Sequence, residues 1–197
     1  MPARYDRRRA TVVAFDAPTW KPPKEVVLDT SVVAEALLPH EPEHGVCDAL
    51  FQRLSEARTL VVFNRLLELE LWEVIFNQLL RARVPRAQRR HARFGVEVRT
   101  QAAHALDRAE QTWRTLLSTL ESRCVELDEV TDAVPDLMRS YGLQSYDAVH
   151  AATLLASGVT DLVTRDAGFA VLLPEDATVH TTRARLSRTR SRRVRAG

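Results

Sequence analysis

The chain has 197 residues, 45% of them hydrophobic, and a formal net charge of +2. That length fits one domain with extensions, and the apolar fraction is ample for a core, so a disordered or fibrous chain is excluded. No apolar run approaches the roughly 18–20 residues needed to cross a bilayer as a helix.

Residues 1–24 carry four arginines and two lysines against Asp6 and Asp16. The stretch Met1–Arg9 has no apolar segment behind its charges, so no secretory signal is expected. Pro18, Pro22 and Pro23 are expected to separate this basic N-terminal arm from a domain spanning 25–180. Glu25–Leu28 is short, β-branched and bounded by breakers, which predicts a buried first strand. Helices are predicted over Ser31–Leu38, ending near Pro39, and over Gly45–Ala57, where Val46, Leu50 and Leu54 recur at helical spacing. Thr59–Phe63 predicts a second strand. Arg65–Leu80 predicts a helix with Leu66, Leu69 and Trp72 on its buried stripe.

Residues 81–123 read as a helical elaboration. Arg81–Arg93 is strongly basic and broken by Pro85, and Thr100–Leu120 predicts one long amphipathic helix. Further strands are expected at Cys124–Leu127, Leu162–Thr164 and Thr178–His180. Between them lie a helix over Asp132–Tyr141, stopped by Gly142, and one over Tyr146–Ala156 with Ser145 as its N-cap. Alternating strands and helices predict an α/β fold: three layers, with a central, mostly parallel sheet flanked by helices. Residues 181–197 form an arginine-rich tail with seven arginines and no acid; tail and arm together leave 25–180 at −9. Both basic ends read as flexible segments, either solvated or in contact with phosphate. Cys47 and Cys124 lack metal-ligand spacing, so both are expected to be reduced thiols in a cytoplasmic protein.

Four acids, Asp29, Glu70, Asp147 and Asp166, stand where strands hand over to helices or one turn into a helix. The carboxyl ends of parallel strands share one sheet edge, so these distant residues are expected to converge there. Converging carboxylates repel unless compensated. A hard divalent cation, Mg2+ or Mn2+, is the usual compensation for oxygen ligands. Such an ion neutralises charge and activates water for hydrolysis. Asp29 and Asp147 are the leading candidates for direct ligands. Asp166 is a candidate for a second ion or its water, and Glu70 for ligation or proton acceptance. Thr30, Ser31 and Thr164 are candidate hydroxyls for orienting these carboxylates, or simple caps. His150, three residues after Asp147, can approach the same helix face, although packing is its ordinary role. Trp72 and Trp113 read as core or dimer-face residues. Glu68 and Glu70 point about 200° apart on a helix and cannot both face one site.

The runs Val26-Val27-Leu28-Asp29-Thr30-Ser31-Val32, Glu70-Leu71-Trp72-Glu73-Val74, Tyr146-Asp147-Ala148-Val149-His150-Ala151-Ala152 and Thr164-Arg165-Asp166-Ala167-Gly168-Phe169 resemble the four acidic motifs of PIN domains. In order and rough spacing they are similar to VapC-like ribonuclease toxins of type II toxin–antitoxin pairs. The resemblance implies a PIN-like fold over 25–180, a metal-dependent endoribonuclease acting on RNA, a cognate small antitoxin and a homodimer. It also selects Glu70, immediately before Leu71, over Glu68 and Glu73. This chain departs from the family's usual length at the N-terminal arm, at 81–123 and at the tail. A haloacid-dehalogenase-like phosphatase is disfavoured, because Ser31 stands where that chemistry needs a second Asp and the only lysines are Lys21 and Lys24. A PIN-like module that binds RNA or protein without cutting is the alternative.

Overall fold

Short β-branched runs become the strands of a single sheet in the computed structural model, which describes residues 10–93, 95–171, 173 and 176–186. The strands are β1 Thr11–Ala14, β2 Glu25–Leu28, β3 Leu60–Asn64, β4 Glu121–Val125, β5 Asp161–Val163 and β6 Thr178–Thr181. Their spatial order is β1-β6-β5-β2-β3-β4, and every pairing is parallel. The helices are α1 Thr30–Leu37, α2 His44–Glu56, α3 Arg65–Arg83, α4 Arg89–Ala92, α5 Val96–Ser118, α6 Val134–Tyr141 and α7 Ser145–Ser157.

Alternation along the central strands assigns the two cores. Val27, Val62 and Leu162 face the layer that holds Leu137 of α6 and Ala148, Ala151 and Ala152 of α7. Val26, Leu28, Val61, Phe63 and Val163 face the layer of α1, α2, α3 and α5. A sheet covered on both faces needs apolar side chains in both directions, which is why its strands read as continuous runs. The order in which strands are added reverses beside β2: β3 and β4 extend to one side, β5 and β6 to the other. That reversal leaves a crevice at the carboxyl ends of β2 and β5, where ligands bind in open α/β sheets.

The structure corrects several expectations. Residues 10–24 are not an arm: β1 is an edge strand on β6, and Phe15 and Trp20 are buried. Trp20 Nε1 donates to His180 Nδ1 at 2.9 Å. Arg53 of α2 donates to the Phe15 and Trp20 carbonyls and lies 4.6 Å from the Trp20 ring centroid. Averaging over 24 basic and Pro-rich residues hides the Thr11-Val12-Val13 run. Thr181 ends β6, residues 183–186 are helical, and Arg183 pairs with Asp16, so the start of the expected tail is also structured. The remainder of both basic ends, residues 1–9 and 187–197, lies outside the described residues.

Strand β4 falls earlier than predicted, because its exposed Glu121, Ser122 and Arg123 carry no apolar signal. On α3 the buried residues are Leu67, Leu71, Ile75 and Leu80, whereas Leu69 is 61% exposed. Ser145 is the first residue of α7 and Gln144 its N-cap. Among the described residues no helix is long and apolar enough to cross a membrane. Cys47 and Cys124 are free thiols; burial, with the nearby charge of Glu35, pushes Cys47 up to about 12.

Candidate active site

The end of β2 delivers Asp29 to the crevice. It occupies the N-cap position of α1, yet its side chain makes no cap hydrogen bond. Its Oδ2 instead accepts from Ser31 Oγ at 2.5 Å and from Thr164 Oγ1, beyond β5, at 2.6 Å. Each hydroxyl is itself oriented: Ser31 Oγ accepts from the Arg165 N–H and Thr164 Oγ1 from the Asp166 N–H. Hydroxyl, amide and carboxylate thus form a short chain that joins β2 to the β5 exit and fixes the direction of the Asp29 carboxyl.

Glu70 arrives one turn into α3, a helix started by Asn64, whose Oδ1 accepts from the Leu67 N–H. Its Oε2 accepts from Thr30 Oγ1 at 2.5 Å and lies 2.8 Å from His150 Nε2. Glu68 points elsewhere, pairing with Arg65 and accepting from Trp113 Nε1 at 3.2 Å, and Glu73 is exposed. The cap bond fixes the Asn64 amide, so its NH2 faces Thr153 Oγ1 at 2.9 Å and His150 Nδ1 at 3.3 Å. His150 therefore presents Nε2 as the donor to Glu70. It is 1% exposed and also 3.5 Å from Asp29 Oδ1. Burial alone would lower its pKa, but the hydrogen bond to Glu70 and the charges of Asp29, Glu70 and Asp147 override burial and raise it.

Asp147 comes from the first turn of α7. Burial raises its pKa, and repulsion by Asp29, Asp166 and Glu70 adds to the effect against His150. Asp166 follows β5, and its Oδ1 accepts from the Gly168 N–H at 2.7 Å. A Cβ at Gly168 would stand only 2.8 Å from that oxygen, so glycine lets the turn close on the carboxylate.

Asp29, Glu70, Asp147 and Asp166 line one pocket of about 440 Å3, with Thr30, Ser31, Arg165 and Arg185. The two arginines form the rim. Arg165 pairs with Glu35 and, at 3.1 Å, with Glu43, and Arg185 reaches Glu43 at 3.3 Å. Glu35 is fully buried; burial raises its pKa against the Glu43 N–H and Arg165. Sequence reading names all four acids of this pocket, its two hydroxyls Thr30 and Ser31, and the buried Thr164 that bonds Asp29 from behind. It misses the hold of His150 on Glu70, the Asn64 amide behind it and the arginine rim. Only the position of His150 three residues after Asp147 hints at them.

Four carboxylates and no thiol make a donor set suited to a hard cation. Among the described residues no three His, Cys, Asp or Glu side chains stand close enough together to hold an ion. The donor chemistry fits such an ion.

The PIN domain family model matches residues 26–172, a span that contains all four acids. The fold is similar to that of VapC20 from Mycobacterium tuberculosis, a toxin that cleaves the sarcin-ricin loop. The TM-score is 0.51 at 19% identity, over 76% of this chain and 97% of that one. VapBC2 from Rickettsia felis, solved bound to a DNA fragment from its promoter, matches with a TM-score of 0.46 at 14% identity, over 79% of this chain and 98% of that one. PAE2754 from Pyrobaculum aerophilum matches with a TM-score of 0.44 at 20% identity, over 85% of this chain and 90% of that one. Among curated proteins none matches. With the family model covering most of the sequence and all four acids of the crevice, the chain belongs to the PIN-domain family.

Proposed function

We propose that this protein is a divalent-metal-dependent endoribonuclease that hydrolyses RNA phosphodiester bonds in the cytoplasm, as the toxin of a VapBC-like pair. The observation that supports this reading is convergence: acids from the β2 end, α3, α7 and the β5 exit line a single open pocket. Bound Mg2+ or Mn2+ would supply charge neutralisation and an activated water to phosphodiester hydrolysis. Asp29, Asp147 and Asp166 are the residues to hold it, with Glu70 as further ligand or proton acceptor. Mutual repulsion keeps such carboxylates apart until a cation draws them in.

The chain's own groups do the positioning. Ser31 and Thr164 hold Asp29 Oδ2, while Thr30 and His150 hold Glu70 Oε2, and His150 Nε2 also stands 3.5 Å from Asp29 Oδ1. Arg165 and Arg185 offer positive charge to a phosphate at the rim, which an otherwise acidic pocket needs in order to admit RNA. The reading implies two protein partners, a second copy of this chain and a small antitoxin that covers the pocket.

Cleavage of single-stranded RNA by the purified protein is expected with Mg2+ or Mn2+ and is expected to stop on chelation. Asp29→Asn and Asp147→Asn are each expected to lower the rate at least about a hundredfold, the scale of losing one preorganised electrostatic group. Undiminished cleavage by both variants would assign the activity to a contaminant. RNA binding by a parent protein that cuts with neither ion would favour a non-catalytic module.

A further inference from the structure

The acidic pocket does not end at Arg165. A second cavity of about 280 Å3 shares Ser31, Val74 and Arg165 with it, and continues to Asn77, Gln78 and Arg81. A third, of about 220 Å3, shares Asn77 and Arg81 with the second, and is closed by Arg89, Arg90 and Arg93. The three form one track along a single face of α3, where Glu70, Val74, Asn77 and Arg81 follow at helical spacing. At 1.5 Å per residue the track runs about 16 Å from Glu70 to Arg81.

Charge changes along the way. The start is acidic. In the middle, Glu35 pairs with Arg165 and Glu41 accepts from Gln78, so the acids there already have partners. The far end is made of four arginines. Arg89 is built into the fold: its Nε donates to the Val84 carbonyl at 2.9 Å and its Nη2 to the Arg81 carbonyl at 3.3 Å. Those bonds tie α4 to the C-terminal end of α3 and hold exposed Arg90 and Arg93 beside exposed Arg81. Lining by four arginines gives the third cavity the chemistry of a polyanion site.

We infer that this track is the binding path for single-stranded RNA, with the Arg81, Arg90 and Arg93 cluster holding backbone phosphates a few nucleotides away from the bond at the carboxylates. The inference rests on the nuclease reading for the identity of the strand. It explains what the 81–93 segment contributes, since binding energy collected where phosphates are welcome places RNA against an acidic centre that repels it.

The test is binding without turnover. A labelled, unstructured RNA of about 12 nucleotides is titrated by fluorescence anisotropy, in chelator, at several salt concentrations. The protein is the full chain, the Arg81→Gln/Arg90→Gln/Arg93→Gln variant and the matching triple Lys variant. Each lost phosphate contact on a single strand lowers the log–log salt slope by about 0.7, so the Gln variant is expected to lose about 2 in slope, and affinity with it. The Lys variant is expected to keep most of the slope, because point charges suffice. Thermal melts establish that each variant folds, and Arg90→Gln alone, with an expected loss of about 0.7, serves if the triple variant does not. Unchanged slope and affinity in a folded Gln variant overturn the inference. So does equal loss in a folded Lys variant, which removes charge as the cause. Loss of poly-L-glutamate binding with RNA binding intact also overturns it, and assigns the cluster to an acidic polypeptide. Cleavage is scored separately: a parent that binds RNA along the track but never cuts it defeats the nuclease reading and leaves the path standing.

Discussion

Asp29 holds a cap position without capping, and the hydroxyls that aim it are the most exposed to test at the scale of one residue. Thr164→Val keeps the shape of a fully buried side chain and removes a donor to Asp29 and an acceptor for the Asp166 N–H. Loss of such an orienting group typically costs 10–100-fold in metal affinity, so Mn2+ affinity by calorimetry is expected to fall about that much, with Thr164→Ser restoring it. Stability is expected to fall by about 1–3 kcal/mol. An Mn2+ affinity equal to the parent's would show that Thr164 does not aim Asp29 at an ion. Which of these groups sequence reveals follows from where their partners lie. Asp29 and Asp166 are visible because they follow short apolar strands, and Asp147 because it stands in the first turn of a helix, all of them local signals. Thr30, Ser31 and Thr164 are visible because they adjoin those acids. His150 is not, since its meaning depends on Glu70, 80 residues away, and on Asn64, 86 away. Arg165 looks like a surface arginine until Glu35 and Glu43 fold against it.

At the scale of elements, the piece hidden from sequence is also the one most open to test. Strand β1 and the Trp20 corner close the β6 edge of the sheet, where an unpaired parallel strand would otherwise lie open. Because an indole N–H only donates, His180 Nδ1 is the acceptor and Nε2 faces Asp161 Oδ1 at 2.7 Å. Trp20→Phe strands that buried acceptor, with an expected loss of about 1–3 kcal/mol. By the usual scaling for a chain of this size, the melting temperature drops about 2–4 °C per kcal/mol. An unchanged melting temperature would make residues 10–24 the loose arm that their composition implies.

The next link, Asp161, has a pH signature. Burial would raise its pKa, but hydrogen bonds from His180 and Thr160 outweigh burial and hold it below the usual 3.8. A depressed carboxyl stabilises the fold above its unfolded value of about 3.9, and that contribution is lost as pH falls through the lower folded value. Asp161→Asn is therefore expected to be less stable than the parent near neutral pH. Its deficit in urea unfolding should close below about pH 4; a deficit constant down to acid would mean the charge is not the cause. The sheet's central strands were legible because burial on both faces leaves unbroken apolar runs. The edges were not: β1 is short and flanked by arginine and proline, and β4 is polar on its exposed residues.

The whole molecule gathers negative charge at one place, and that has a thermodynamic consequence independent of turnover. Folding brings four carboxylates from distant parts of the chain to one pocket, and burial first, then repulsion by Asp29, Asp166 and Glu70, raises the pKa of Asp147. Removing one charge should relieve the fold. Asp147→Asn in chelator is thus expected to melt above the parent, although it deletes a proposed ligand. A cation that binds only the folded state stabilises by mass action, about 2.7 kcal/mol at a hundred times its dissociation constant. For a chain of this size that corresponds to a rise of roughly 5–11 °C. The parent is expected to show this rise with Mn2+, and the Asn variant little of it, so that the order of the two melting temperatures inverts between chelator and metal. Structural acids behave otherwise. If Asp147 merely complements the start of α7, its replacement lowers the melting temperature in chelator and leaves the response to Mn2+ as large as the parent's. Inversion of the two curves would mark a pocket whose charge is kept, at a cost in stability, for an ion.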